Sequence, residues 1–107
     1  MRIMRRQQLL RQIKARLTDA HGDRLRGVVL YGSEARGDAR ADSDVDLLVL
    51  LDGPVDYGRD LERNLDALFP LSLEIGRRIS AKPVSADEYA MVDCPLYENA
   101  RREGIAI

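Results

Sequence analysis

The chain has 107 residues, of which 45% are hydrophobic and 33% are charged, and its formal net charge is −1. This length fits a single domain over residues 1–107 and is too short for a nucleotide domain plus a substrate domain. One cysteine excludes a disulfide framework, and no apolar run reaches the roughly 20 residues that span a bilayer. We therefore expect a cytoplasmic protein without a membrane segment.

The charges are unevenly distributed along the chain. Residues 1–26 carry eight Arg or Lys against two Asp, whereas residues 27–66 carry four basic residues against ten acidic ones. An acidic middle beside a basic N-terminal segment fits a metal site flanked by a cationic surface, and a solvated helix face explains the basic segment equally well. With a pI of about 5.8 and few aromatic residues, the chain is not expected to bind nucleic acid directly.

Residues 2–20 have the periodicity of an amphipathic helix. Its expected apolar face comprises Ile3, Leu10, Ile13 and Leu17. Gly22 is expected to end the helix in left-handed backbone. The one histidine, His21, falls at the end of the helix, where we interpret it as a capping or solvent-exposed residue and not as a general base.

Two apolar runs follow, and we expect them to form strands at about 26–31 and 45–51. A short charged segment between them opens with a helical turn. Gly32 and Ser33 directly follow the first strand. Their backbone amides and the Ser33 hydroxyl suit the binding of an anion.

The second strand is entered through Asp44 and Asp46. Side chains alternate between the two faces of a strand, so these two carboxylates point the same way while Val45 points into the core. Adjacent carboxylates repel each other, and a cation between them relieves that repulsion. Hard oxygen ligands favour Mg²⁺, which keeps part of its water shell for phosphate oxygens.

Residues 56–75 form a second helical pattern, in which Pro70 is expected to kink or divide the helix and Gly76 to end it. The expected apolar face of this helix comprises Leu61, Leu65, Leu68 and Ile75. A third strand is expected at about 78–84, where Pro83 favours an edge position.

Ser85 has the sequence context of an N-cap that opens a short helix, and Pro95 begins a last helix through Glu103. The chain then ends in Ile105-Ala-Ile107, to which we assign no element. The order αβαβαβαα predicts an α+β fold with a small mixed sheet and helices packed on it.

The motif Gly32-Ser33, ten further residues and Asp44-Val-Asp46 resembles the signature of the DNA polymerase beta nucleotidyltransferase superfamily. More narrowly, the chain resembles the minimal nucleotidyltransferases (MNT), small proteins often encoded beside a HEPN-domain toxin. The resemblance implies a polymerase beta-like nucleotidyltransferase fold, ATP as the substrate and Mg²⁺ as the cofactor. It also implies that Asp44 and Asp46 ligate the metal, while Gly32 and Ser33 bind the β- and γ-phosphates.

Three further residues are candidates for the nucleotide site. Arg36 is placed to contact phosphate, and an ion pair with a neighbouring aspartate is the alternative interpretation. Arg40 and Ser43 are weaker candidates, and the alternative role of Ser43 is to orient the loop that leads into Asp44.

The sequence departs from the superfamily pattern at the third strand. Superfamily members usually have a third carboxylate there, which acts on the attacking hydroxyl, but residues 78–84 contain no acid. The nearest carboxylate is Glu74, on the preceding helical pattern, and it is a candidate third carboxylate. We also expect Lys82 to project near the two aspartates and to replace part of the metal's charge.

These features leave three functional hypotheses. The first is an MNT antitoxin that transfers AMP from ATP to a hydroxyl, expected to be a tyrosine, of a partner HEPN toxin. The second is an MNT-fold antitoxin that acts by docking to its HEPN partner with weak or no transfer activity. The third, a small-molecule transferase of the aminoglycoside-modifying kind, is the weakest because such enzymes normally carry an added acceptor domain.

Overall fold

The computed structural model of the chain describes residues 4–107. The helices are α1 (Arg6–His21), α2 (Gly32–Arg36), α3 (Tyr57–Ile75), α4 (Ala86–Met91) and α5 (Pro95–Glu103). The strands are β1 (Leu25–Tyr31), β2 (Val45–Leu51), β3 (Ile79–Ser85) and β4 (Ile105–Ala106). A 3-10 turn, Gly22–Arg24, joins α1 to β1. Residues 2 and 3, which belong to the predicted first helix, lie outside the described residues.

The strands form one mixed sheet in the order β3-β2-β1-β4. Strand β1 is antiparallel to both β2 and β4, whereas β2 and β3 are parallel and are connected through α3. The predicted small mixed sheet is therefore confirmed, with β3 at one edge as Pro83 indicated. The other edge is the two-residue β4, which the sequence analysis did not assign. It pairs with Val29 and Leu30 of β1.

Helices α1 and α3 pack on one face of the sheet and form the main core with it. This core contains Leu9, Ile13, Leu17, Val28, Leu30, Val45, Leu47, Val49, Leu51, Leu68, Leu71, Ile75, Ile79 and Ala81. A smaller apolar cluster on the opposite face joins the sheet to α5, and it contains Val29, Leu48, Val84 and Ala100. The alternation of side chains along β2 thus divides the strand between two cores. Burial of each such Leu, Ile or Val side chain contributes about 1.5–3 kcal/mol to the free energy of unfolding.

The buried face of α1 differs from the predicted one. Leu9, Ile13, Leu17 and His21 are buried, whereas Leu10 is only partly buried. Ile13 and Leu17 of the predicted face lie on the buried face, and Leu9 takes the position near the start of the helix that was predicted for Leu10. The expected exposure of His21 is wrong, because its Nε2 lies 2.6 Å from Oδ1 of buried Asn64 on α3. His21 therefore joins α1 to α3.

Helix α3 departs from its predicted buried face, and it continues past Pro70. Asn64 takes a core position and donates to the Ala81 carbonyl at 3.0 Å, whereas Leu65, predicted on the buried face, is 51% exposed. Pro70 does not divide the helix, which runs continuously to Ile75. Pro70 and Asp66 are both exposed, so water can reach the Asp66 carbonyl that lacks a helical donor.

A partly buried ion pair attaches the start of α3 to the turn before β1. Arg24 donates to both carboxylate oxygens of Asp60, at 2.9 and 3.1 Å, and the Asp56 amide donates to Asp60 at 3.1 Å. Asp60 itself is only 2% exposed. The hydrogen bond from Arg24 lowers the pKa of Asp60 despite its burial. Among residues 4–107, no helix is long and apolar enough to cross a membrane.

We predict that Asp60→Asn lowers the free energy of unfolding by about 2–3 kcal/mol at pH 7, because Arg24 loses a bidentate charged partner. The matched control is Asp52→Asn, whose pair with Arg26 is exposed on both sides (55% and 57%) and should contribute less than about 1 kcal/mol. Urea unfolding of the three proteins measures both effects.

The Asp60→Asn deficit should also depend on pH. Because the pKa of Asp60 is lowered on folding, its contribution to stability is complete above the unfolded value of about 3.9 and is lost as the pH falls through the folded pKa. Urea unfolding from pH 7 to pH 2 should therefore show the deficit shrinking at the acidic end. A deficit that is equal at both ends would contradict this assignment.

Candidate functional site

The candidate site lies where the end of β1 meets the start of β2. Tyr31, the last residue of β1, pairs with Asp46, the second residue of β2. The chain continues from Tyr31 directly into α2, so Gly32 and Ser33 form its first turn. The antiparallel register thus places the Gly-Ser turn beside the entrance of the aspartate strand.

The backbone at Gly32 passes directly against the Asp46 carboxylate. A Cβ atom at position 32 would lie 2.6 Å from Oδ2 of Asp46, so a larger residue would force that carboxylate or the turn to move. The φ angle of +74° at Gly32 is also in the left-handed region that favours glycine. Both observations favour glycine here, and the short distance shows that the turn and the carboxylate are neighbours.

Asp46 is partly buried and has a charged neighbour of the same sign. Burial raises the pKa of Asp46, and the nearby Asp44 carboxylate raises it further. Asp44 is exposed and precedes β2, and the amide of Val45 between the two donates to the Arg78 carbonyl at 2.9 Å. Two hard carboxylates, one of them with its charge destabilised by burial and by the other, fit a divalent cation such as Mg²⁺.

Three positive side chains oppose this rise in the Asp46 pKa. Lys82 on β3, Arg78 just before β3 and Arg36 on α2 all act to lower the Asp46 pKa. The positive charge of Lys82 thus acts on Asp46, whereas its approach to Asp44 and its replacement of the metal's charge stay predictions. Strand register explains the position of Lys82, since Ser80 pairs with Asp46 and Lys82 is the next β3 residue on the same face.

Tyr31 completes this face of the site. Burial raises the pKa of its hydroxyl, and the positive charge of Lys82 opposes part of that increase. No group of three or more His, Cys, Asp or Glu side chains that could hold a metal is found in residues 4–107. Glu74 lies on α3 and is partly buried.

Arg36 and Ser43 have the contacts that the alternative interpretations anticipated. Arg36 pairs with Asp38 at 3.4 Å and with Glu103 at 3.5 Å. The hydroxyl of Ser43 accepts from the Arg40 amide at 2.8 Å and so closes the loop before Asp44. Their roles as nucleotide ligands stay predictions.

One side chain that joins α2 to the loop before β2 was not predicted from the sequence. Arg77 donates to the Ser43 carbonyl at 2.9 Å and pairs with Glu34 of α2 at 2.6 Å. Glu34 also lies 3.8 Å from Arg6 of α1. Arg77 and Glu34 are 43 residues apart, so no local pattern indicates their contact.

Comparisons with known proteins place this geometry in a family. Residues 10–91 match the sequence family described as nucleotidyltransferase domain, which covers more than half of the chain. The chain belongs to the nucleotidyltransferase domain family. No curated protein sequence matches it.

Two solved structures resemble this nucleotidyltransferase domain. One, assigned as a minimal nucleotidyltransferase, is 33% identical with a TM-score of 0.57, and the alignment covers 97% of each chain. The other is a crystal structure of a toxin-antitoxin with AMP-PNP, with 18% identity and a TM-score of 0.66. That alignment covers 90% of this chain and 69% of the other. The predicted fold is confirmed, whereas the pairing with a HEPN toxin stays a prediction.

We predict that Gly32→Ala weakens the binding of Mg²⁺-ATP by at least about tenfold, because the new methyl group displaces the Asp46 carboxylate or the turn. Gly53→Ala is the matched control. Its φ of +78° imposes a similar backbone strain of about 1 kcal/mol, but a Cβ there meets no described atom within 4 Å.

Isothermal titration calorimetry measures the affinity, and thermal unfolding measures the strain shared by both variants. Equal ATP affinities of the Gly32→Ala and Gly53→Ala proteins would show that the contact with Asp46 does not shape the nucleotide site.

Proposed function

We propose that this nucleotidyltransferase domain transfers AMP from ATP to a hydroxyl, a tyrosine side chain, of a partner HEPN toxin and thereby acts as its antitoxin. The observation that carries the proposal is the contact between the Gly32 turn and the Asp46 carboxylate within a nucleotidyltransferase domain. It sets an anion-binding turn beside a carboxylate pair, which is the combination that a metal-bound triphosphate requires.

In the proposed reaction, the acceptor oxygen forms a bond to the α-phosphorus of ATP, and the bond from that phosphorus to the bridging oxygen breaks. The products are the AMP ester of the acceptor, pyrophosphate and a proton. Asp44 and Asp46 would hold Mg²⁺, which supplies charge neutralisation for the phosphates. Gly32 and Ser33 present backbone amides and a hydroxyl to the β- and γ-phosphates, with Arg36 and Ser43 as further candidate contacts.

A protein acceptor fits the shape of the site. Asp44 is exposed and Asp46 only partly buried, so the entrance of β2 is open to solvent. Another chain would supply the surface that encloses an acceptor at this entrance. The similar toxin-antitoxin structure with AMP-PNP supports both a nucleotide and a toxin partner for this chain.

The second candidate function is an antitoxin that binds its HEPN partner without transferring AMP. Residues 4–107 contain no group of three or more His, Cys, Asp or Glu side chains that could hold a metal, and this favours the second candidate. Lys82 on β3, whose positive charge acts on Asp46, favours it as well. A general base for the acceptor hydroxyl typically contributes 10²–10⁴-fold to such reactions, so transfer without one is slow. Glu74 stays a candidate for that role.

We predict that co-expression with this chain adds mass in whole AMP units to the protein encoded beside it, and that Asp44→Asn/Asp46→Asn abolishes the addition. Intact-mass spectrometry of the purified partner measures the modification. Asp42→Asn is the matched control, since it removes a neighbouring exposed carboxylate from the same loop outside the strand face.

The outcomes separate the hypotheses. An unmodified partner that co-purifies equally with the wild type and the double variant would overturn AMP transfer in favour of docking. An unmodified partner that does not co-purify would contradict the pairing itself. Equal loss of modification in the Asp42→Asn protein would show that general loop charge, and not the strand pair, is responsible.

A further inference from the structure

Strand β3 places one lysine, Lys82, on the face of the sheet that carries Asp46. The parallel pairs Asp46 with Ser80 and Leu48 with Lys82 place these residues on one face, because paired strand residues share a side. Tyr31 joins them through its own pair with Asp46. On this face, Lys82 interacts electrostatically with both the hydroxyl of Tyr31 and the carboxylate of Asp46.

Cationic side chains contribute to the electrostatics of this face. Three positive side chains act on Asp46, against the two carboxylates at the start of β2. A nucleoside triphosphate carries several negative charges, which require neutralisation on binding. Part of that neutralisation is built into the protein here.

Lys82 differs from the two arginines in how it is held. Arg36 is exposed and shares its charge with Asp38 and Glu103, and Arg78 is exposed. Lys82 is partly buried in the middle of a hydrogen-bonded strand, so its position relative to β2 is set by the sheet. A charge in a partly buried position is also less screened by salt.

We propose that the Lys82 ammonium binds the triphosphate directly, so that a nucleoside triphosphate occupies this site even without a divalent cation. The inference deepens the proposed function, since it rests on nucleotide binding at the Gly32–Asp46 site. It does not require that AMP be transferred.

Calorimetric titration with ATP, once with Mg²⁺ and once with EDTA, tests the inference. We expect the wild type to bind ATP in EDTA and Lys82→Met to bind it about tenfold more weakly, because a charge-assisted phosphate contact is lost. Lys82→Arg should retain most of the affinity. The loss in Lys82→Met should be smaller with Mg²⁺, which neutralises part of the same charge.

The control is the chain's one other lysine. Lys14 on α1 donates to the Ile107 carbonyl at 2.8 Å, and Lys14→Met should leave ATP binding unchanged. The same two lysines allow a test that needs no variant. In EDTA, saturating ATP should slow acylation of Lys82 at least about threefold, measured by peptide mass spectrometry, and leave Lys14 unaffected.

Two results overturn the inference in distinguishable ways. Wild-type protein that binds ATP with Mg²⁺ but not in EDTA, with unchanged Lys82 labelling, overturns the role of Lys82 alone. Wild-type protein that binds no ATP under either condition overturns the proposed nucleotide function together with it.

Discussion

The contact between the Gly32 backbone and the Asp46 carboxylate is the constraint on which the rest of the site depends. It is possible only in the observed β1–β2 register, since a slip by one residue would turn Asp46 toward the α1–α3 core. That core already accepts alternate residues of β2, beginning with Val45. The packing of apolar side chains on one face therefore fixes which polar side chains meet on the other.

Arg77 connects the two segments that form this contact, α2 and the loop before β2. Its guanidinium joins α2 through Glu34 and the loop before β2 through Ser43, so the turn and the aspartates are tied to the same side chain. The pair is only 14–16% exposed, and it is therefore screened less than a surface pair. Backbone proximity and a long-range ion pair thus act together to preorganise the site.

Local patterns predicted much of the fold and failed where partners are distant in sequence. The bounds of β2 were predicted correctly because its apolar run is continuous and ends in turn residues. The burial of His21 and Asn64 was missed, since each forms a hydrogen bond with a residue at least 17 positions away and neither looks like a core residue alone. The contacts of Arg77 were not predicted for the same reason. Lys82 was anticipated near Asp46 because strand alternation is itself a local rule.

The two edges of the sheet limit how this protein associates with others. Pro83 lacks a backbone donor within β3, and β4 is only two residues long. Neither edge therefore offers a long, uninterrupted row of amides and carbonyls onto which a foreign strand can be added. Recognition of any protein consequently falls to side chains, whose chemistry is specific to the sequence, instead of to backbone pairing, which accepts many sequences.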